Sequence, residues 1–127
     1  MTAVWVGLAG GLGTLARYFV GLGSERWLPG RFPWGTLIVN LLGSFIIGFV
    51  IAAFAARGAL EARTRVAITT GFLGGFTTYS AFAYDSVMML ERHHAKLFAL
   101  YVGATLLVAM AGCYAGILLG RQAFATD

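Results

Sequence analysis

Thr69-Thr70-Gly71-Phe72-Leu73-Gly74-Gly75-Phe76-Thr77-Thr78-Tyr79-Ser80-Ala81-Phe82 is the stretch on which the fold turns. It sits in the middle of a long apolar segment, where an unbroken membrane helix would be expected. Instead it carries three glycines and a cluster of hydroxyls. Glycine costs a helix interior about 1 kcal/mol relative to alanine. Paired Gly74 and Gly75 followed by Thr77 and Thr78 therefore predict a helix that breaks at membrane depth. Backbone groups released by a break find no water in hydrocarbon. Such a break survives only where it is buried in protein, faces a water-filled cavity or holds an ion.

Composition around this stretch fixes the class. The chain has 127 residues, of which 59% are hydrophobic and 11% charged, and its mean hydropathy is +0.81. That charge is too sparse to cover a soluble globule of this size. A spanning helix needs roughly 20 apolar residues, so the chain reads as a single all-α membrane domain, residues 1–127, with four spans at about 3–21, 34–56, 66–90 and 97–120. The net charge of +4 belongs to membrane flanks, since no basic stripe on a polar face points to nucleic acid. The single Cys113 lies in an apolar run and allows no disulfide within the chain. The N-terminus lacks a basic region before its first apolar run, so a cleaved signal is not expected.

Along the chain, the first span is dense in glycine, and Gly7-xxx-Gly11 forms a small-residue face for close helix contact. Its odd residue is Arg17. It reads either as a cation snorkelling from the helix end or as a fixed positive charge at the mouth of a pore. A polar connector follows, with Trp27, Pro29, Arg31, Pro33 and Trp34. In the second span Asn40 is a full amide among apolar neighbours. It is either glue between helices or an uncharged donor lining a polar path. After the predicted break, Tyr79 and Phe82 share a helical face, as ordinary packing aromatics or as part of a path. Asp85 closes the third span, at the interface, capping a helix or pairing with Arg17. Adjacent His93 and His94 point to different helical faces and read as a solvated turn, not a metal site. In the fourth span Tyr101, Thr105 and Ala109 lie on one stripe, and Gly112, Gly116 and Gly120 on another.

Orientation is nearly undetermined by charge. With four spans, Arg57, Arg63, Arg65 and Arg121 fall on one side, and Arg17, Arg26, Arg31, Arg92 and Lys96 on the other. Lys/Arg excess orients membrane proteins, and four against five is almost no excess. The chain is therefore expected to insert both ways round and to form a dual-topology antiparallel dimer, with the broken third helix near the two-fold axis.

No intramembrane cluster of His, Cys and carboxylate is present in the sequence, no nucleophile has a base beside it, and Gly74-Gly75 lacks the Lys of a phosphate loop. An enzyme is not expected. The embedded polar groups are neutral donors: Asn40, Thr77, Thr78, Tyr79, Ser80, Tyr101 and Thr105. Neutral donors beside aromatic edges, which carry partial positive charge, suit a small anion that sheds its water. Carbonyls freed at a helix break suit a cation.

These residues resemble the Fluc (CrcB) fluoride channels over essentially the whole chain. The resemblance rests on Gly13-Thr14-Leu15-Ala16-Arg17-Tyr18, on Trp34-Gly35-Thr36-Leu37-Ile38-Val39-Asn40, and above all on Gly71 through Phe82. It implies an antiparallel homodimer in the inner cell membrane, with two fluoride pores lined by both subunits. It implies a fluoride path through Asn40, Thr78, Tyr79, Ser80, Phe82, Tyr101 and Thr105, with Arg17 in the vestibule. It also implies a structural sodium ion at the dimer axis, held by the backbone carbonyls of Gly74 and Thr77. The chain departs from the family at Tyr79, where phenylalanine is usual. Ala81 replaces a hydroxyl, Asp85 a longer acid, and Ala109 a common serine.

The function so implied is passive fluoride export. Hydrogen fluoride enters as the neutral acid and ionises in the cytoplasm. A membrane potential negative inside then drives the anion out, at about 2.3 kcal/mol per charge per 100 mV. The rivals are a small dual-topology proton-coupled exporter of the multidrug type, which depends on a carboxylate in its first helix, and a non-transporting assembly subunit. Between residues 3 and 21 the only charged side chain is Arg17.

Overall fold

The computed structural model describes residues 1–57 and 61–123. Gly58 in the second connector and the tail residues 124–127 lie outside the described residues. Everything described is helix or connector. Helix α1 is Thr2–Trp27 and α2 is Trp34–Arg57. A third run is built in pieces: α3 at Ala62–Val66, a wider π-helical segment at Ala67–Leu73, and α4 at Gly74–Phe76. Helix α5 is Tyr79–Glu91 and α6 is Ala95–Ala123.

Among the described residues three helices are long and apolar enough to cross a membrane: α1, α2 over Trp34–Ala55, and α6. The third predicted span is the interrupted run, and its longest uninterrupted α-helix, α5, has 13 residues. Both α1 and α6 run past the ends of their apolar stretches. Past those stretches water can satisfy a helix end, and in α1 the Leu28 N–H also donates to the Ser24 carbonyl at 2.8 Å. Pro33 precedes α2 and its carbonyl accepts the Leu37 N–H at 3.2 Å, the usual place for proline at a helix start. Between α5 and α6 the chain reverses at His93, in the left-handed region with φ 59°. The histidine pair is thus a turn, and Arg31 Nη1 donates to His94 Nε2 at 2.8 Å, tying two connectors together.

The helices pack as two pairs, each running in one direction. In the first pair α2 lies along α6: a side chain at Gly112 would meet Leu41, one at Gly116 the Phe45 carbonyl, and one at Gly120 the Phe49 carbonyl. Rising numbers on both partners establish that the helices are parallel. The expected Gly112/Gly116/Gly120 face is this seam. In the second pair α1 lies along the interrupted run, with Gly71 against Val6 and Ala9, and Gly75 against Gly10 and Thr14. This corrects one expectation. Gly7 and Gly11 have nothing within 4 Å; Gly10 and Gly13 make the close approach, Gly13 against the Phe72 carbonyl. Spacing marks glycines on a helix but not which of two small-residue faces meets a neighbour.

The interruption falls at Thr77–Thr78, just past the glycine pair. Gly74 is helical, with φ −62° and ψ −36°, whereas Thr77 (−82°, 161°) and Thr78 (−150°, 110°) are extended. β-Branched threonines favour extended backbone and offer hydroxyls to local backbone groups. Gly75 serves contact instead, since a side chain there would strike the Gly10 carbonyl, whereas Gly74 meets only the Thr69 carbonyl of its own run. The Thr77 hydroxyl donates to the Leu73 carbonyl at 3.0 Å and closes the first half. The Thr78 hydroxyl accepts the Ala81 N–H at 3.1 Å and caps α5.

Candidate functional site

Between α2, the break and α6 lies a groove of about 490 Å³. Asn40, Gly74, Thr77, Tyr79, Phe82 and Thr105 line it together with Ser44, Thr69 and apolar residues. It therefore brings together residues up to 69 positions apart that the sequence singles out, from Asn40 to Ala109. No charged side chain is among the described residues of its wall.

Asn40 is pinned to the break on both sides. Its Nδ2 donates to the Thr78 carbonyl at 3.1 Å, and the Thr78 N–H donates to its Oδ1 at 2.9 Å. One side-chain amide thus satisfies both backbone groups of one residue. Both readings of Asn40 meet here: it joins α2 to the third run, and it lines the groove. Thr105 behaves differently. It is 5% exposed, and its hydroxyl has no hydrogen-bond partner among the described residues. A buried hydroxyl left so costs about 1–3 kcal/mol.

Aromatic rings run from the groove inward. Tyr79 and Phe82 lie 5.9 Å apart between centroids, and Phe82 and Tyr101 5.3 Å apart. Phe32 then meets Tyr101 edge to face at 5.4 Å. Tyr79, at one end of the row, is 80% exposed, while Tyr101 is fully buried.

Four of the singled-out residues stand apart from the groove. Tyr101 lies beneath it. Ser80 is exposed, its hydroxyl 3.3 Å from that of Thr78. Thr78 and Arg17 line a second cavity of about 660 Å³, shared with Glu25, Arg31, Thr36 and Asp85. Arg17 and Asp85 share this cavity, but Asp85 Oδ2 accepts from Thr36 Oγ1 at 3.2 Å and from Tyr101 OH at 3.5 Å. Thr36 is the residue that sequence reasoning missed. It stands four residues before Asn40, as Tyr101 stands four before Thr105. Two polar pairs at helical spacing on helices that turn out to be neighbours were the available signal.

The backbone at the break has donors redirected. In a continuous helix the Thr78 N–H would reach the Gly74 carbonyl and the Ala81 N–H the Thr77 carbonyl. Those two donors go to Asn40 Oδ1 and Thr78 Oγ1 instead. Among the described residues no group of three or more His, Cys, Asp or Glu converges in a metal-binding cluster.

Comparison with known proteins places the chain. The model of the family described as "CrcB-like protein, Camphor Resistance (CrcB)" matches residues 4–117. A relative from Agrobacterium fabrum is 44% identical over 119 residues, covering 94% of this chain and 95% of its own. One from Rhodopseudomonas palustris is 40% identical over 121 residues, covering 95% and 98%. One from Nitratidesulfovibrio vulgaris is 44% identical over 118 residues, covering 93% and 95%. Each of the three bears the name fluoride-specific ion channel FluC.

Proposed function

This chain belongs to the CrcB family, and from that premise we propose that it is a fluoride channel of the membrane, passing fluoride out of the cytoplasm down its electrochemical gradient. It is not an enzyme. The observation that carries the reading is an uncharged groove of hydroxyls, amide and aromatic edges, holding one buried hydroxyl without a partner, in a chain of this family. The proton-coupled exporter is not favoured: the relatives are named as fluoride channels, and the first helix offers no carboxylate over residues 3–21.

Fluoride loses water only where donors replace it. The Thr105 hydroxyl and the second N–H of Asn40 are such donors, and the ring edges of Tyr79 and Phe82 add partial positive charge. A wall without fixed charge lets the anion leave as readily as it enters, since conduction requires weak binding. Thr78, Ser80 and Tyr101 extend the path beyond the groove. Arg17, in the adjoining cavity, concentrates anions at the mouth.

The groove is open on its outer side, where Tyr79, Leu106 and Met110 line it and are exposed. A second copy is the natural cover. The near balance of cations on the two sides supports an antiparallel homodimer of dual topology in the inner membrane, with the third span broken at mid-membrane and each path lined by both copies. The carbonyls of Gly74 and Thr77, deprived of their usual donors, fit a sodium ion at the axis. When bound, that ion supplies positive charge to backbone oxygens that hydrocarbon would leave unsatisfied.

The test is fluoride efflux from liposomes holding the purified protein, with an ionophore carrying the counter-charge and chloride efflux run beside it. Rapid fluoride loss without chloride loss is the expected outcome. Folded protein that releases no fluoride, or releases chloride equally, would overturn the reading.

A further inference from the structure

We propose that Asn40 and Thr78 are positioning residues that hold the third run open, and that their hydrogen bonds leave the Gly74 and Thr77 carbonyls free for a cation. The inference rests on the sodium site of the proposed function and names what builds it. A helix does not give up its hydrogen bonds for nothing, because each lost N–H needs another acceptor. Here the two acceptors are side chains. Asn40 Oδ1 takes the Thr78 N–H at 2.9 Å and Thr78 Oγ1 takes the Ala81 N–H at 3.1 Å. Two donors are diverted and two carbonyls are released.

The pairing is selective. An asparagine amide presents one acceptor and an N–H in the arrangement of a peptide group. It therefore satisfies the N–H and carbonyl of one extended residue, as a neighbouring strand would, and Thr78 is in extended conformation. Thr78 is 7% exposed, so little solvent reaches it to replace either partner. One residue of α2 thereby joins the two ions. Part of the Asn40 amide fixes the break that would hold the cation, and the rest lines the groove proposed for fluoride.

Thermal unfolding of the purified dimer in sodium chloride and in N-methylglucamine chloride tests this, beside fluoride efflux. Wild type is expected to unfold at higher temperature in sodium. In Asn40→Leu and in Thr78→Val the sodium concentration giving half that rise should increase at least about tenfold. Thr78→Ser, which keeps the capping hydroxyl, should retain it. Phe82→Leu should lose fluoride flux and keep the sodium response. An Asn40→Leu protein with wild-type sodium dependence would overturn the proposal, whatever its flux, and leave Asn40 as a path donor alone. If Asn40→Leu does not fold, the valine–serine contrast at Thr78 decides. A wild type that conducts fluoride but ignores sodium would end the cation site and this proposal with it, while the channel reading stands.

Discussion

The α2–α6 seam and the seam between α1 and the third run use the same residue for different ends. In the first, Gly112, Gly116 and Gly120 let one continuous helix lie against the backbone of another. In the second, Gly13 and Gly75 do the same work, but the partner helix stops at Thr77. The first seam joins two continuous helices whose backbone groups are satisfied within each helix along the contact. The second ends in carbonyls and N–H groups that must find partners elsewhere, and Asn40 and the Thr78 hydroxyl provide two. Close packing and a functional break therefore coexist because the glycines do not make the break. They bring the backbones together, and the threonines beyond them turn the chain.

The comparison can be broken most severely at the continuous seam. Gly116→Leu would drive a side chain into the Phe45 carbonyl and the Phe49 N–H. Overpacking of this kind costs about 3 kcal/mol or more, and the expected result is no monodisperse helical protein by size exclusion and circular dichroism. Thr105→Val addresses the groove. Removing an unpartnered buried hydroxyl should raise stability by about 1 kcal/mol while fluoride efflux falls about tenfold, a hydrogen bond to an ion being the thing lost. A valine variant that conducts normally would mean Thr105 never meets the anion.

Arg17→Gln tests the approach to the groove. Efflux should fall about two- to fivefold at low salt and recover at about 0.5 M, where such fields are screened. A loss independent of salt would place Arg17 in the path itself. The smallest effect belongs to Gly7→Ala, a glycine in open space. Alanine is the better helix former, so the chain should gain up to about 1 kcal/mol and lose no more than about 0.5 kcal/mol. A larger loss, tracked by protein concentration, would put Gly7 in the interface with a second copy and add a third seam.

Much of this was legible in the sequence, for identifiable reasons. Apolar length marked out the three long helices, because hydrocarbon thickness is a hard constraint. The adjacent Thr77 and Thr78 announced an interruption, because β-branched residues with hydroxyls that bond local backbone favour extended and capping positions. What stayed hidden depended on distance. That Asn40 would bond residue 78, and Asp85 residue 36, follows only from how helices are placed beside one another. The Gly7 face and the Gly10–Gly13 face look alike in spacing and differ only in what lies opposite. The position of the break followed from backbone chemistry that the glycine pair obscured.

The bond from Asn40 to Thr78 also bears on how the chain is made. Asn40 leaves the ribosome 38 residues ahead of the backbone it satisfies. A nascent third run, with no α-helix longer than 13 residues, is a poor candidate to partition into lipid by itself. By the time it emerges, α2 has already been synthesised and carries the amide that its open backbone requires. A circular permutant starting at residue 61 would reverse that order of arrival, and the interrupted run would reach the membrane before its partner exists.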